Sequence, residues 1–260
     1  MFTTGLRFGL TTADAATVTS TGAIEGLTAW TVVSWFRIRS LTTSGSIVVK
    51  GSGAGNNRRI NVVFTTTGGI NVAMDRTSDL LYSAPSGTLA INQSYGLVVT
   101  CNTSGSAGDL IRFYLTTPNR YLGLIRPTTT TDGSGGFTSD VGANLTWGNN
   151  TVPNLAGAVD LYAGIISTVA VEPAEAEGVL RRPRTAVRGT AGRWHFGNGG
   201  ATVWDQSGNG RHAAVSRAVP IASAWDSARW PRPRVATAAA AAFLSAWARG
   251  SNAVYQPGVH

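Results

Sequence analysis

Between residues 29 and 116 the chain repeats one device: a short run in which β-branched or aromatic residues alternate with others, followed by a break rich in small residues. The runs are AWTVVSWFRI, SIVVK (46–50), RINVVFT (59–65), INVAMD (70–75), YGLVVTCN (95–102) and LIRFYLT (110–116). A period of two sends alternate side chains to opposite faces of a strand, so such a chain stacks sheets rather than bundling helices. In the first run Trp30, Val32, Ser34, Phe36 and Ile38 share one face. Thr31, Val33, Trp35, Arg37 and Arg39 share the other, which turns outward at its arginine end. The TTGG step after RINVVFT and the TSGSAGD loop after YGLVVTCN predict two hairpins. Glycine, at 32 residues, and a charged fraction of only 13% fit many tight turns between strands.

GAVDLYAGIISTVAV (157–171) reads as a long strand, or as a strand pair broken at Gly164. The period then changes. EPAEAEGVLRR (172–182) has Pro173 at a first helical position, acids in its first turn and arginines at its end, which predicts a short surface helix matched to its dipole. RWHFGNGGATVWDQSGNGRHAAVS reads as two short strands around a loop, with His195 alternating with the core aromatics Trp194 and Phe196. Beyond it, AWDSARWPRPRV is an extended strap, ATAAAAAFLSAWA (236–248) a helix closed by Gly250, and SNAVYQPGVH a tail. The expected division is a β body over residues 1–217 and an arm over residues 218–260.

Charge divides the same way. Residues 1–180 hold ten basic and eleven acidic side chains; residues 181–260 hold eleven arginines against Asp205 and Asp226. Cys101 is the single cysteine, on the face of Tyr95, Leu97 and Val99, and reads as a core thiol; no internal disulfide is possible. No apolar run reaches the roughly 20 residues a membrane-crossing helix needs, so no membrane partner is expected. MFTTGLRFGLTTADAATVTS lacks a charged region followed by an apolar block, so no secretory signal is expected.

WDQSGNGRHA (204–213) offers a metal loop, a phosphate cradle or a plain turn. Asp205, Ser207 and Asn209 before Gly210 copy the first half of a calcium loop. The twelfth position, where a bidentate Glu belongs, is Ser216, and Arg211 and His212 stand where a hard cation wants oxygen. The reading is therefore a glycine-dependent turn held by those three side chains, with Ca2+ as the alternative and no cofactor otherwise.

The order WTVVSWFRI, SIVVKG, INVVFTTTGGINVAM, SYGLVVT, DLIRFYL and LAGAVDLYAGI running into VEPAEAEGVL resembles the laminin-G-like and concanavalin A-like lectin/glucanase domains. DQSGNGRH is similar to the Asp-x-Ser-Gly-Asn-Gly turn of many such domains. The resemblance covers about residues 1–215 and implies an all-β fold, a two-sheet antiparallel jelly roll, with a carbohydrate-binding or glycanase function. One departure matters: in those domains the turn precedes the Trp-bearing strand, whereas here it follows the acidic helix. Either a C-terminal strand closes the sheet that an N-terminal strand normally would, or a truncated second copy begins; too little chain remains for the second.

Catalytic patterns fail. The family's glucanases carry a Glu-x-Asp-x-x-Glu strand, which nothing here matches; Asp75 and Asp79 flank a turn, Asp160 stands alone, and Glu172, Glu175 and Glu177 belong to a helix start. No Gly-x-Ser-x-Gly elbow occurs, the three histidines are separated, and GSGAG (51–55) precedes no helix. The expectation is no enzyme, with a glycan hydrolase as the last alternative. A near-neutral body tethered to a basic, apolar arm points to an outer structural component of a phage particle, assembled in the host cytoplasm and carried on the virion surface. Its expected partners are the major capsid protein and further copies of itself, rather than nucleic acid. Docking would fall to Arg229, Trp230, Arg232, Arg234, Phe243, Leu244, Trp247, Arg249 and Tyr255. The alternative is a lectin-like module binding a surface glycan, with Trp147, Tyr82 and Tyr121 as the aromatic platforms.

Overall fold

The alternating runs become strands in a computed structural model that describes residues 4–9, 14–51, 58–148, 158–198 and 200–222. In chain order these are β1 (Thr4–Phe8), β2 (Ala15–Val18), β3 (Ala29–Ile38), β4 (Gly45–Lys50), β5 (Ile60–Phe64), β6 (Ile70–Met74), β7 (Arg76–Ser78), β8 (Leu80–Ser83), β9 (Ser94–Asn102) and β10 (Ile111–Thr117). There follow β11 (Arg120–Ile125), β12 (Thr129–Thr131), β13 (Ser134–Phe137), β14 (Leu145–Trp147), β15 (Val159–Ser167), the helix α1 (Pro173–Arg181), β16 (Thr190–His195), β17 (Thr202–Val203), β18 (Ala213–Ser216) and β19 (Val219–Ala222). The two predicted hairpins are β5–β6 and β9–β10.

Two antiparallel sheets form a jelly-roll sandwich. The first runs β11–β10–β9–β3–β15; β15 then pairs with β1 over Val159–Leu161 and with β16 over Ala163–Ser167, and β19 lies beyond β1. The second runs β12–β8–β6–β5–β4–β14–β2–β18–β17, and β7 and β13 make a separate small ribbon. Period-two alternation sorts the first sheet's side chains between two cores. Trp30, Val32, Phe36 and Ile38, with Leu97, Val99 and Cys101, face the second sheet's Val48, Val62, Phe64 and Val72. Val33, Trp35, Val98 and Tyr162 face outward and are covered by Ala176, Val179 and Leu180 of α1. The predicted surface helix is therefore half core, with Glu175 in its first turn and Arg181 in its last.

Strand β15 is continuous through Gly164. The glycine is a packing requirement: a Cβ there would lie 2.5 Å from Cη2 of Trp147. That indole sits between the sheets, 5.7 Å centroid to centroid from both Trp194 and Phe196. A buried ion pair pins the loop before β14. Lys50 and Asp140 are both fully buried, with Nζ 3.3 Å from Oδ2; Nζ also donates to the carbonyls of Asp140 at 2.9 Å and Ala143 at 2.6 Å. Arg59 Nε lies 3.9 Å from Asp140 Oδ1 as well, so removing Asp140 leaves two buried cations without this counter-ion.

The late turn closes this sandwich. β18 pairs with β2 across Ala213–Ser216, and β19 pairs with β1 across Val219–Ala222, so C-terminal strands extend both sheets. The sheet thus takes in residues beyond the expected boundary at 217. The arm residues Arg229, Trp230, Arg232, Arg234, Phe243, Leu244, Trp247, Arg249 and Tyr255 lie outside the described residues.

Candidate functional site

Two of the three expected platforms are interior. Trp147 ends β14, between β4 and β2 in the second sheet, and is fully buried because its neighbours on both sides and the opposite sheet close over it. Tyr82 is fully buried on β8; its hydroxyl donates to Asp132 Oδ1 and accepts from the Leu110 N–H at 3.1 Å. Burial and the Asp132 carboxylate push that phenol above its ordinary pKa. Neither ring can meet a sugar. Both assignments are corrected for one reason: an isolated aromatic beside polar residues does not reveal which face of a strand it takes.

Tyr121 is different. It lies half-buried on β11, at the edge of the first sheet, opposite Thr116 of β10. The β10 sequence IRFYLTT sends Phe113 and Leu115 into the main core and leaves Arg112 and Tyr114 on the outer face. Together with the start of α1 these outer residues enclose a groove of about 860 Å³. Its exposed apolar surface comes from Tyr121, Leu124 and Pro173, with Tyr114 buried at its floor, and its polar groups are Asp109, Arg112, Arg126 and Glu177. The Arg181 guanidinium lies 4.9 Å from the Tyr121 ring centroid and is held by Glu177 one turn earlier, with Nε to Oε1 at 2.6 Å. The Tyr121 ring thus packs against a guanidinium that a helical ion pair orients. Across the groove, Arg112 Nε donates to Asp109 Oδ1 at 2.9 Å, and this bond holds the Asp109 carboxyl below its ordinary range. Burial raises both Tyr114 and Tyr121 above the ordinary phenol value. Alternation in IRFYLTT already placed Arg112 and Tyr114 on one face; their meeting with α1 is a tertiary fact.

The Asp205 loop is a hydrogen-bonded turn. Asp205 Oδ1 accepts from the N–H groups of Arg193 at 2.9 Å and Ser207 at 2.8 Å, while Oδ2 accepts from Ser207 Oγ at 2.8 Å and the Arg211 N–H at 3.0 Å. Burial alone would raise this carboxyl, but the four donors outweigh it and hold it low. Asn209 donates through Nδ2 to the Thr190 and Ala191 carbonyls. The Asp205 and Ser207 oxygens, which a calcium loop would offer to the ion, accept hydrogen bonds from the chain itself. Among the described residues no three His, Cys, Asp or Glu side chains gather as a metal set. Next to the loop, Trp204 is 57% exposed and meets His212 edge-on, centroids 4.5 Å apart; it is an exposed aromatic that the sequence reading did not single out. Cys101 is buried beside Met74, and desolvation pushes its thiol up to about 12, which leaves it unreactive.

No protein-family model matches the chain, and no curated protein matches it. Solved structures do. A candidate carbohydrate binding protein of Bacteroides ovatus superposes with a TM-score of 0.57 at 12% identity, over 85% of this chain and 60% of that one. The heptameric SAP-like pentraxin of Limulus polyphemus superposes at 0.45 and 12% identity, over 83% and 90% of the two chains. The CBM40 domain of a Ruminococcus gnavus IT-sialidase, bound to α2,3-sialyllactose, superposes at 0.44 and 12% identity, over 65% and 95%. This chain therefore shares its fold with a protein whose length it matches only in part.

Proposed function

We propose that the sandwich is a non-catalytic carbohydrate-binding domain and that the groove beside Tyr121 is its glycan site. The observation that carries the reading is the groove's make-up: aromatic and proline surface for the C–H face of a sugar ring, rimmed by planar carboxylate and guanidinium groups that pair with vicinal hydroxyls. The description of the Bacteroides ovatus protein supports the same class. Hydrolysis is disfavoured by charge. A glycosidase needs a carboxylic acid of raised pKa, whereas Asp109 is held low by Arg112, and Glu177 is paired with Arg181.

The test is a glycan array followed by titration of the best glycan. Tyr121→Ala and Arg126→Ala should each weaken binding at least tenfold while leaving the circular dichroism spectrum unchanged. Wild-type affinity in both variants would remove the groove from consideration.

A second reading rests on the charge division of the sequence: an outer component of a phage particle, oligomeric and docked on a capsid protein by the C-terminal arm. Its docking residues fall outside the described residues, so the glycan reading takes precedence. Co-purification of the full chain with particles, but not of a chain cut after Ala222, would reverse that order.

A further inference from the structure

On the same outer face, at the edge opposite β11, a second cavity of about 390 Å³ opens over β15 and β16. Register explains it. Trp35, Ala163 and His195 stand side by side across β3, β15 and β16, and Val33, Ile165 and Arg193 form a neighbouring outward row. Ala163 is the smallest member of its row, so a hollow remains between the indole and the imidazole. Pro183 and Arg184, from the segment after α1, and Gln206, from the Asp205 loop, complete the walls.

The chemistry of these walls is one-sided. Two arginines and a histidine line the cavity, and among the described residues no acidic side chain does. Arg181 and Arg188 are paired with Glu177 and Glu175, but among the described residues neither Arg184 nor Arg193 enters an ion pair. Arg193 is half-buried, and among the described residues its guanidinium donates to main-chain carbonyls, to Thr185 at 2.7 Å and more loosely to Arg184 at 3.5 Å. The nearby Asp205 carboxylate has already taken four donors. Burial lowers the pKa of His195, and the charge of Arg184 adds to the effect. A guanidinium withdrawn from water without a counter-ion is costly, and an anion in the cavity relieves that cost through charge-assisted, fork-shaped bonds.

We propose that this cavity binds the carboxylate or sulfate of an acidic saccharide, with Arg184 and Arg193 on the anion and Gln206 and His195 beside it. The saccharide part rests on the glycan reading above; the anion part stands on the arginines alone. It also gives a place to some of the positive charge that the last third of the chain carries.

The experiment is an NMR titration of the full-length 15N-labelled protein at low ionic strength with D-galacturonate, galactose 6-sulfate, D-galactose and inorganic sulfate. The amides of Arg193, His195 and Gln206 should shift saturably with galacturonate, with the sulfated sugar or with both, and the stronger of the two identifies the anion. Galactose should leave them in place. Arg184→Glu, at an exposed position, should weaken the charged sugars at least tenfold with the rest of the spectrum preserved. Equal shifts from galactose, no shifts from either charged sugar, a response to inorganic sulfate alone, or an unchanged Arg184→Glu titration would each overturn the proposal. Loss of glycan binding at the Tyr121 groove with these shifts intact would remove the groove and leave the cavity standing.

Discussion

At the scale of single residues, position on a strand outweighs residue type. Tyr82 and Tyr121 are chemically the same, yet one is sealed between sheets and the other lines a groove, because Tyr82 falls on the inward phase of β8 and Tyr121 on an outer edge. Asp205 likewise looks like a ligand in isolation and is an anchor in context, accepting four hydrogen bonds. Its folded pKa lies below the ordinary 3.8, so its contribution is complete above the unfolded pKa and fades as pH falls through the lower folded value. Asp205→Asn should cost about 1–3 kcal/mol at pH 7, since an amide presents donors to donors. In urea titrations the gap from wild type should narrow as pH drops below about 4. A gap that is constant from pH 7 to pH 3 would show that the carboxylate charge is not what holds the turn.

At the scale of elements, the informative strands are the last two. β18 and β19 add to sheets begun at the other end of the chain, and β19 covers the outer side of β1 through the pairs Thr4–Ala222 to Arg7–Val219. A chain ending at residue 217 lacks that strand and leaves β1 as an edge with unpaired amides. Compared with a chain ending at Ala222, it should lose about 1–3 kcal/mol, read from denaturant midpoints at constant m, with faster amide exchange confined to β1. Equal midpoints for the two chains would mean that the β1–β19 ladder contributes nothing. α1 shows the complementary case, an element whose ends are set by its own sequence and whose burial is set by the sheet beneath it.

At the scale of the whole molecule, the two cores are not independent, because the strands of the first sheet line both. β3 sends Val32 and Phe36 to one and Val33 and Trp35 to the other, and β9 divides Leu97 and Val98 in the same way. Loss of packing under α1 must therefore be felt between the sheets. Leu180→Ala, at a fully buried site, should cost about 2–5 kcal/mol. It should lower a single transition that coincides in near- and far-ultraviolet circular dichroism. Two separated transitions would show that α1 and its core melt on their own.

By itself the sequence determined what depends on near neighbours. The period of two in AWTVVSWFRI and YGLVVTCN, the two hairpins, the dipole-matched helix after Glu172 and the bonds from Ser207 and Arg211 to Asp205 all follow from contacts within a few residues, where backbone geometry and local hydrogen bonds decide. The resemblance in segment order carried the reading as far as the two-sheet architecture. Tertiary structure alone decided which aromatics face inward and why Gly164 leaves room for Trp147. It also decided that Tyr114 and Tyr121 meet α1, and that Arg184 and Arg193 share a cavity without an acid. Those outcomes bring separate strands, loops and the helix together, and a sheet's second face acquires its character only when another element is laid on it.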